Sequence, residues 1–213
     1  LCVRNIEYIK IPNFIEHICS CAFCGCRNLR QIVIPNDSKL QTIGDLAFEA
    51  SAIENIKIPT NVIRIGKNAF ERCRNIQYIE FSNDSKLQFI DEYAFFCSSI
   101  KKIKIPSQVT RICQKAFSDC SKLIRVEIPF DSKLQNIDQY AFYRSSIECI
   151  SIPIQVKRIE VGAFSLCKKL QIIEFVDNSK LESTPYHFLD KVTILMAPIH
   201  LKHILDKCTS YIR

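Results

Sequence analysis

Glycine occurs only four times in this 213-residue chain, and tryptophan not at all. With so little glycine there is no glycine-rich phosphate loop and no nucleophile elbow, and the four histidines form no constellation with carboxylates. No run approaches the ~20 uncharged apolar residues needed to cross a bilayer. The opening stretch LCVRNIEYIK has no apolar block of the signal-peptide kind. Neither charge sign forms a run: 29 Lys and Arg are interleaved with 22 Asp and Glu, so the net charge of +7 builds no basic patch for nucleic acid. These absences argue against an enzyme, a nucleic-acid binder and a membrane span, and they imply no cofactor.

What the chain does have is a repeat, and a repeat decides how every other residue is read. Ala-Phe recurs with its phenylalanine at Phe23, Phe48, Phe70, Phe95, Phe117, Phe142 and Phe164, and a worn copy ends at Phe188. Short steps of 22 residues alternate with long steps of 25, so the duplicated unit is a pair of 47. DSKL begins at Asp37, Asp84 and Asp131, and NSKL at Asn178, in three steps of the same 47.

Each unit reads locally. In AIENIKIP, Ile53, Ile56 and Ile58 precede Pro59, and the last two alternate with polar residues as in a half-buried strand. The proline lacks a backbone donor and ends the ladder. A turn then leads to a second apolar pair, Val62 and Ile65 or Leu87 and Ile90, and the Ala-Phe is expected on a single helical turn. About 23 residues cannot bury such a stripe alone, but stacked copies can. The expected fold is a repeat solenoid of about eight units over residues 1–190, with 191–213 as a degenerate last rung and C-terminal cap. At ~4.8 Å per rung, the stack would be on the order of 40 Å long with a parallel sheet on one side.

The pattern C-x-x-L-x-x-I-x-I-P followed by V-x-x-I-x-x-x-A-F resembles the BspA-like class of leucine-rich repeats over nearly the whole chain. AFSDCSKL from Ala116 and AFSLCKKL from Ala163 carry the signature whole. The resemblance implies a right-handed leucine-rich-repeat coil, its parallel sheet on one face and short strands or helical turns on the other. It further implies a non-enzymatic surface or secreted recognition module with a protein partner, such as an extracellular-matrix or host-cell protein. The residues themselves leave an intracellular scaffold open.

The cluster CSCAFCGC, Cys19 to Cys26, invites a metal reading. Aligned on Phe23, it separates instead into repeat columns. Cys26 joins Cys73, Cys120 and Cys167, in a column expected to hold Cys97, Ala50 and Arg144 elsewhere, while Cys19 aligns with Cys113, Gly44, Gly66 and Asp91. Cys21 and Cys24 fall at exposed positions. Four thiols on one turn diverge, whereas zinc needs them to converge. The twelve cysteines have no framework spacing, which points to buried, inert thiols or a reducing compartment. His200-x-x-His203 reads as an exposed helix surface, and the DSKL loops as turns in which Asp or Ser binds backbone amides. Asn36-Asp37-Ser38 and Asn83-Asp84-Ser85 are sequons, meaningful in a secreted chain.

The candidate binding residues lie where the strands point away from the core. One outward column brings Tyr78, Lys102 and Arg125 onto consecutive rungs, the aromatic-plus-cation mix enriched at contact sites. The neighbouring column runs Lys57, Glu80, Lys104, Glu127, an alternating ladder expected to pair across the sheet and fix its register. Tyr78, Lys102, Lys104, Arg125 and Glu127 therefore form either a protein-binding patch or a solvated sheet face.

Overall fold

The computed structural model describes residues 5–176 and 179–184 and the backbone of 194–196. It is a β-solenoid of about seven turns with two parallel sheets. A nine-stranded sheet runs from Tyr8–Lys10 through Asn55–Ile58, Tyr78–Phe81, Lys102–Lys104 and Arg125–Glu127 to Ile172–Phe175 and Ile194–Met196. A seven-stranded sheet of two-residue strands runs from His17–Ile18 to Arg158–Ile159. The alternation read from AIENIKIP is realised: Asn55 and Lys57 are exposed, Ile56 and Ile58 buried. The strand stops before Pro59, whose carbonyl accepts the Val62 amide to start the turn toward the second sheet. Most of the expected cap over 191–213, with His200 and His203, lies outside the described residues, as does Phe188.

The Ala-Phe segment is the main departure from expectation. Among the described residues it makes no helix but a ribbon of successive tight turns. Ala47 N–H closes a turn on the Gly44 carbonyl and Ser51 N–H one on Phe48, while Leu46, Phe48 and Ala50 donate instead to Lys67, Ala69 and Glu71 of the next rung, each at 2.8 Å. A helix would spend all its amides along its own axis; here every second one ties one coil to the next. The bend needs a left-handed residue two positions before and two after each phenylalanine, as at Leu46 (φ 58°) and Ala50 (φ 51°). Among the described residues, twelve such positions are not glycine. Each holds a conformation costing about 1 kcal/mol, and the rung-to-rung bonds on either side hold it there.

The phenylalanines from Phe23 to Phe164 stack in single file, with ring centroids 5.1–5.5 Å apart and planes within 13° of parallel. The five from Phe48 to Phe142 are fully buried. Beside the file runs a second column, which corrects the cysteine alignment. The residue three after each phenylalanine is alternately cysteine and serine: Cys26, Ser51, Cys73, Ser98, Cys120, Ser145, Cys167, all buried. Cys73, Cys120 and Cys167 donate their thiols to the carbonyls of Phe48, Phe95 and Phe142, each at 3.0 Å. Ala50, Cys97 and Arg144 occupy the left-handed position just before this column.

The DSKL loops divide their work. The buried serines Ser38, Ser85 and Ser132 accept the amides two residues on, at 3.1, 3.3 and 3.2 Å. The aspartates reach back one rung: Asp37 accepts from Asn13 at 2.9 Å, Asp84 from Thr60 at 2.8 Å. Each buried side-chain nitrogen or oxygen among the described residues has a hydrogen-bond partner.

Candidate functional site

The nine-stranded sheet puts the outward columns in register. Lys102 is the strand partner of Tyr78 on one side and Arg125 on the other, while Lys57 faces Glu80 and Lys104 faces Glu127. All seven of these side chains lie on the solvent face because the alternate residues, such as Ile79, Ile103 and Val126, are drawn into the core. Tyr78 is half exposed.

The expected charge ladder closes at one end only. Lys57 and Glu80 pair at 3.4 Å, but Glu127 turns along its own strand to Arg125 at 2.9 Å. Arg125 sits two residues away on the same face, and its planar guanidinium meets the carboxylate more readily than the Lys104 ammonium across the sheet. Lys102 and Lys104 therefore have no carboxylate within 4.0 Å among the described residues. Lys101 joins them: its ammonium lies 6.0 Å from the Tyr78 ring centre and bonds to Gln77 at 3.0 Å.

Lys102 and Lys104 line a shallow groove of about 650 Å³ over the sheet, bounded by Tyr78 and Glu80 on one side, Glu127 on the other, and Asn83, Ser107 and Asp131 from the loops at one end. Arg125 lies over the adjoining depression, which shares Lys102 and Glu127. Sequence reasoning missed Lys101 and the loop rim. It also missed Phe130, which replaces the asparagine of the NDSKL copies and is 88% exposed between the groove-lining Pro129 and Asp131. The broken consensus was the available signal. Of the sequon asparagines, Asn36 and Asn83 are both exposed, and Asn83 is on the groove.

Elsewhere several cations are held by the protein's own groups. On the seven-stranded sheet Arg64 is held between Asp45 at 3.2 Å and Asp91 at 2.5 Å, and Arg111 grips Asp138 through bonds of 2.7 and 2.8 Å. On the turn ribbon, Lys115 sits between the rings of Tyr93 and Tyr140, at 5.4 and 5.8 Å.

No group of three or more His, Cys, Asp or Glu among the described residues is arranged to hold a metal ion. In the CSCAFCGC stretch Cys19 and Cys21 are exposed, while Cys24 bonds to Glu49 at 3.1 Å and Cys26 is in the core column. Burial pushes the thiols of Cys73 and Cys120 up to about 12, opposed by bonds from Ser51 and Ser98 that favour the thiolate. Since the thiolate is the reactive form, iodoacetamide is expected to modify Cys19 and Cys21 in the folded protein and to spare Cys73 and Cys120 until it is denatured. Mass mapping of the alkylated peptides checks this, and labelling of Cys120 as fast as Cys21 would contradict it.

Comparison with known proteins adds the following. The family model described as BspA type Leucine rich repeat region matches in six copies, over residues 2–124 and 88–211. Among solved structures, the leucine-rich repeat protein of T. pallidum is 22% identical with a TM-score of 0.56, covering 95% of this chain and 83% of that one. A leucine rich cell surface protein from Faecalibacterium prausnitzii is 20% identical with a TM-score of 0.52. The match covers 89% of this chain and 62% of that protein, so the chain spans less than two thirds of its length. At these identities the likeness is one of fold. No curated protein matches the chain.

Proposed function

Because the chain belongs to the BspA-type leucine-rich repeat family, we propose that it is a non-catalytic recognition scaffold whose nine-stranded face binds another protein, in the setting of cell-surface adhesion to a host or matrix component. The observation that carries the reading is a groove in which two ammonium groups, without a carboxylate partner among the described residues, stand beside an exposed aromatic ring. Arg64, Arg111 and Lys115 are consumed by the protein's own carboxylates and rings, whereas Lys102 and Lys104 stand beside Tyr78 in a groove with no ionic partner. A tyrosine ring with only two side-chain torsions loses little entropy on binding, and the sheet beneath it is already fixed, which suits it to a contact surface. The surface setting is carried over from the similar Faecalibacterium prausnitzii protein, described as a cell surface protein. The exposed thiols of Cys19, Cys21 and Cys149 favour a second setting, a reducing intracellular compartment, for the same scaffold.

A screen of the folded protein against matrix and host-cell proteins, beside a lysate pull-down, identifies the partner. The triple variant Tyr78→Ala/Lys102→Ala/Arg125→Ala is then expected to bind that partner at least about tenfold more weakly. Its stability should stay within about 1 kcal/mol of wild type, since all three side chains face solvent. Unchanged affinity in a folded triple variant would remove this face from the proposal.

A further inference from the structure

The geometry points to a partner of defined chemistry: an extended peptide segment in which acidic residues are flanked by apolar or aromatic ones. This rests on the reading that the nine-stranded face is the binding surface, and it adds what the face selects. Two independent features of the groove converge on it.

The first is charge. The carboxylates on the sheet face of the groove are already engaged, Glu80 by Lys57 and Glu127 by Arg125. The central strand Lys102–Lys104 thus presents two ammonium groups on one face, two residues apart, with Lys101 beside them over Tyr78. An incoming carboxylate would meet cations that need not be detached from an internal partner. The rim carboxylate of Asp131 and the engaged Glu80 and Glu127 lie within the same groove. They would repel a long polyanion such as a sulfated glycan while tolerating one or two carboxylates placed over Lys102 and Lys104.

The second is exposed aromatic surface near the lysines. Tyr78 stands one rung before the lysine strand, 50% exposed, and Phe130, 88% exposed, lies in the loop after the following strand, between the groove-lining Pro129 and Asp131. Exposed aromatic surface beside a cationic centre matches a peptide whose aromatic and acidic side chains recur at every second position, so that all of them face the groove. A peptide in extended form presents every second side chain to one surface, so two acidic residues spaced by one can address Lys102 and Lys104 together.

The test uses fluorescence anisotropy at low salt with two labelled peptides, GSFAEAEAFSG and its neutral counterpart GSFAQAQAFSG. The acidic peptide is expected to bind about tenfold or more tightly than the neutral one and to weaken as salt rises. Lys102→Glu/Lys104→Glu should abolish the preference; Lys102→Gln/Lys104→Gln, which adds no repulsion, should also remove it, and the melting temperature of each variant verifies folding. Equal affinity for the two peptides, or no binding of the acidic one, overturns the inference. So does heparin binding that the lysine variants lose without any peptide preference, which would assign the groove to polyanions. A partner from the screen that depends on Tyr78 and Arg125 yet binds equally well to the Lys102→Gln/Lys104→Gln variant would leave the scaffold reading standing and defeat only this one.

Discussion

Phe95→Ala is expected to destabilise the folded chain by about 3–5 kcal/mol, and Phe23→Ala by about 1–2 kcal/mol. Phe95 is fully buried, with Phe70 and Phe117 stacked at 5.2 and 5.1 Å on its two faces. Removing the ring leaves a cavity between two rungs whose backbones are fixed by the Phe95 N–H to Ala116 bond and the Phe70 N–H to Ala94 bond, both under 3 Å. The walls cannot collapse to fill it, and two ring contacts are lost, each worth about 0.5–1.5 kcal/mol beyond the buried area. Phe23 is half-buried and has one ring neighbour among the described residues, Phe48 at 5.2 Å. In a stack held by nearest-neighbour terms a central vacancy also weakens the coupling between the two halves. Urea denaturation followed by circular dichroism measures both losses. Equal losses at Phe23 and Phe95 would contradict a core built as a single file.

The same file explains what could be read from the sequence. A phenylalanine recurring at 22 and 25 residues has few other uses than stacking on its copies, and the Ile-x-Ile-Pro runs mark the strands directly. The turn ribbon was not legible because its usual marker is missing. Left-handed residues are recognised by glycine, and here the positions are filled by residues such as Leu46, Arg72, Tyr93 and Lys115, with only Gly25 and Gly162 to hint at them. The serine half of the Cys-Ser column was hidden by the choice of anchor. Long units carry one extra residue before the strand, so aligning on the strand places Cys97 under Cys73, whereas aligning on the phenylalanine places Ser98 there, and the backbone follows the phenylalanine. At the candidate site the columns were legible and the pairing was not. Which carboxylate each cation takes depends on the choice Glu127 makes between Lys104 and Arg125, a matter of side-chain geometry that spacing does not encode.

Arg111→Ala is expected to cost about 2 kcal/mol at pH 7, and less at pH 5. Asp138 is almost wholly buried, and Arg111 answers its charge with bonds to both carboxylate oxygens, at 2.8 and 2.7 Å. Deleting the cation strands a buried carboxylate. Because half of the Arg111 side chain faces water, screening keeps the loss below that of a fully buried pair. Burial already raises the Asp138 pKa above its ordinary 3.8, with Glu160 and Glu92 adding to the rise and Arg111 opposing it. Without Arg111 the opposing influence disappears and the pKa climbs further. An acid raised on folding contributes its stability fully below the unfolded value and loses it as pH rises through the folded one. The variant therefore regains ground on acidification, as Asp138 takes up a proton in the fold before it does so in the unfolded chain. Asp138→Asn in the Arg111→Ala background should recover most of the loss at pH 7 and remove its pH dependence, because the amide keeps the shape without the stranded charge. Urea denaturation of the single and double variants at pH 7 and pH 5 decides the matter. A stability gap that widens between pH 7 and pH 5 would show that Arg111 acts through packing of its aliphatic stem and not through the charge of Asp138.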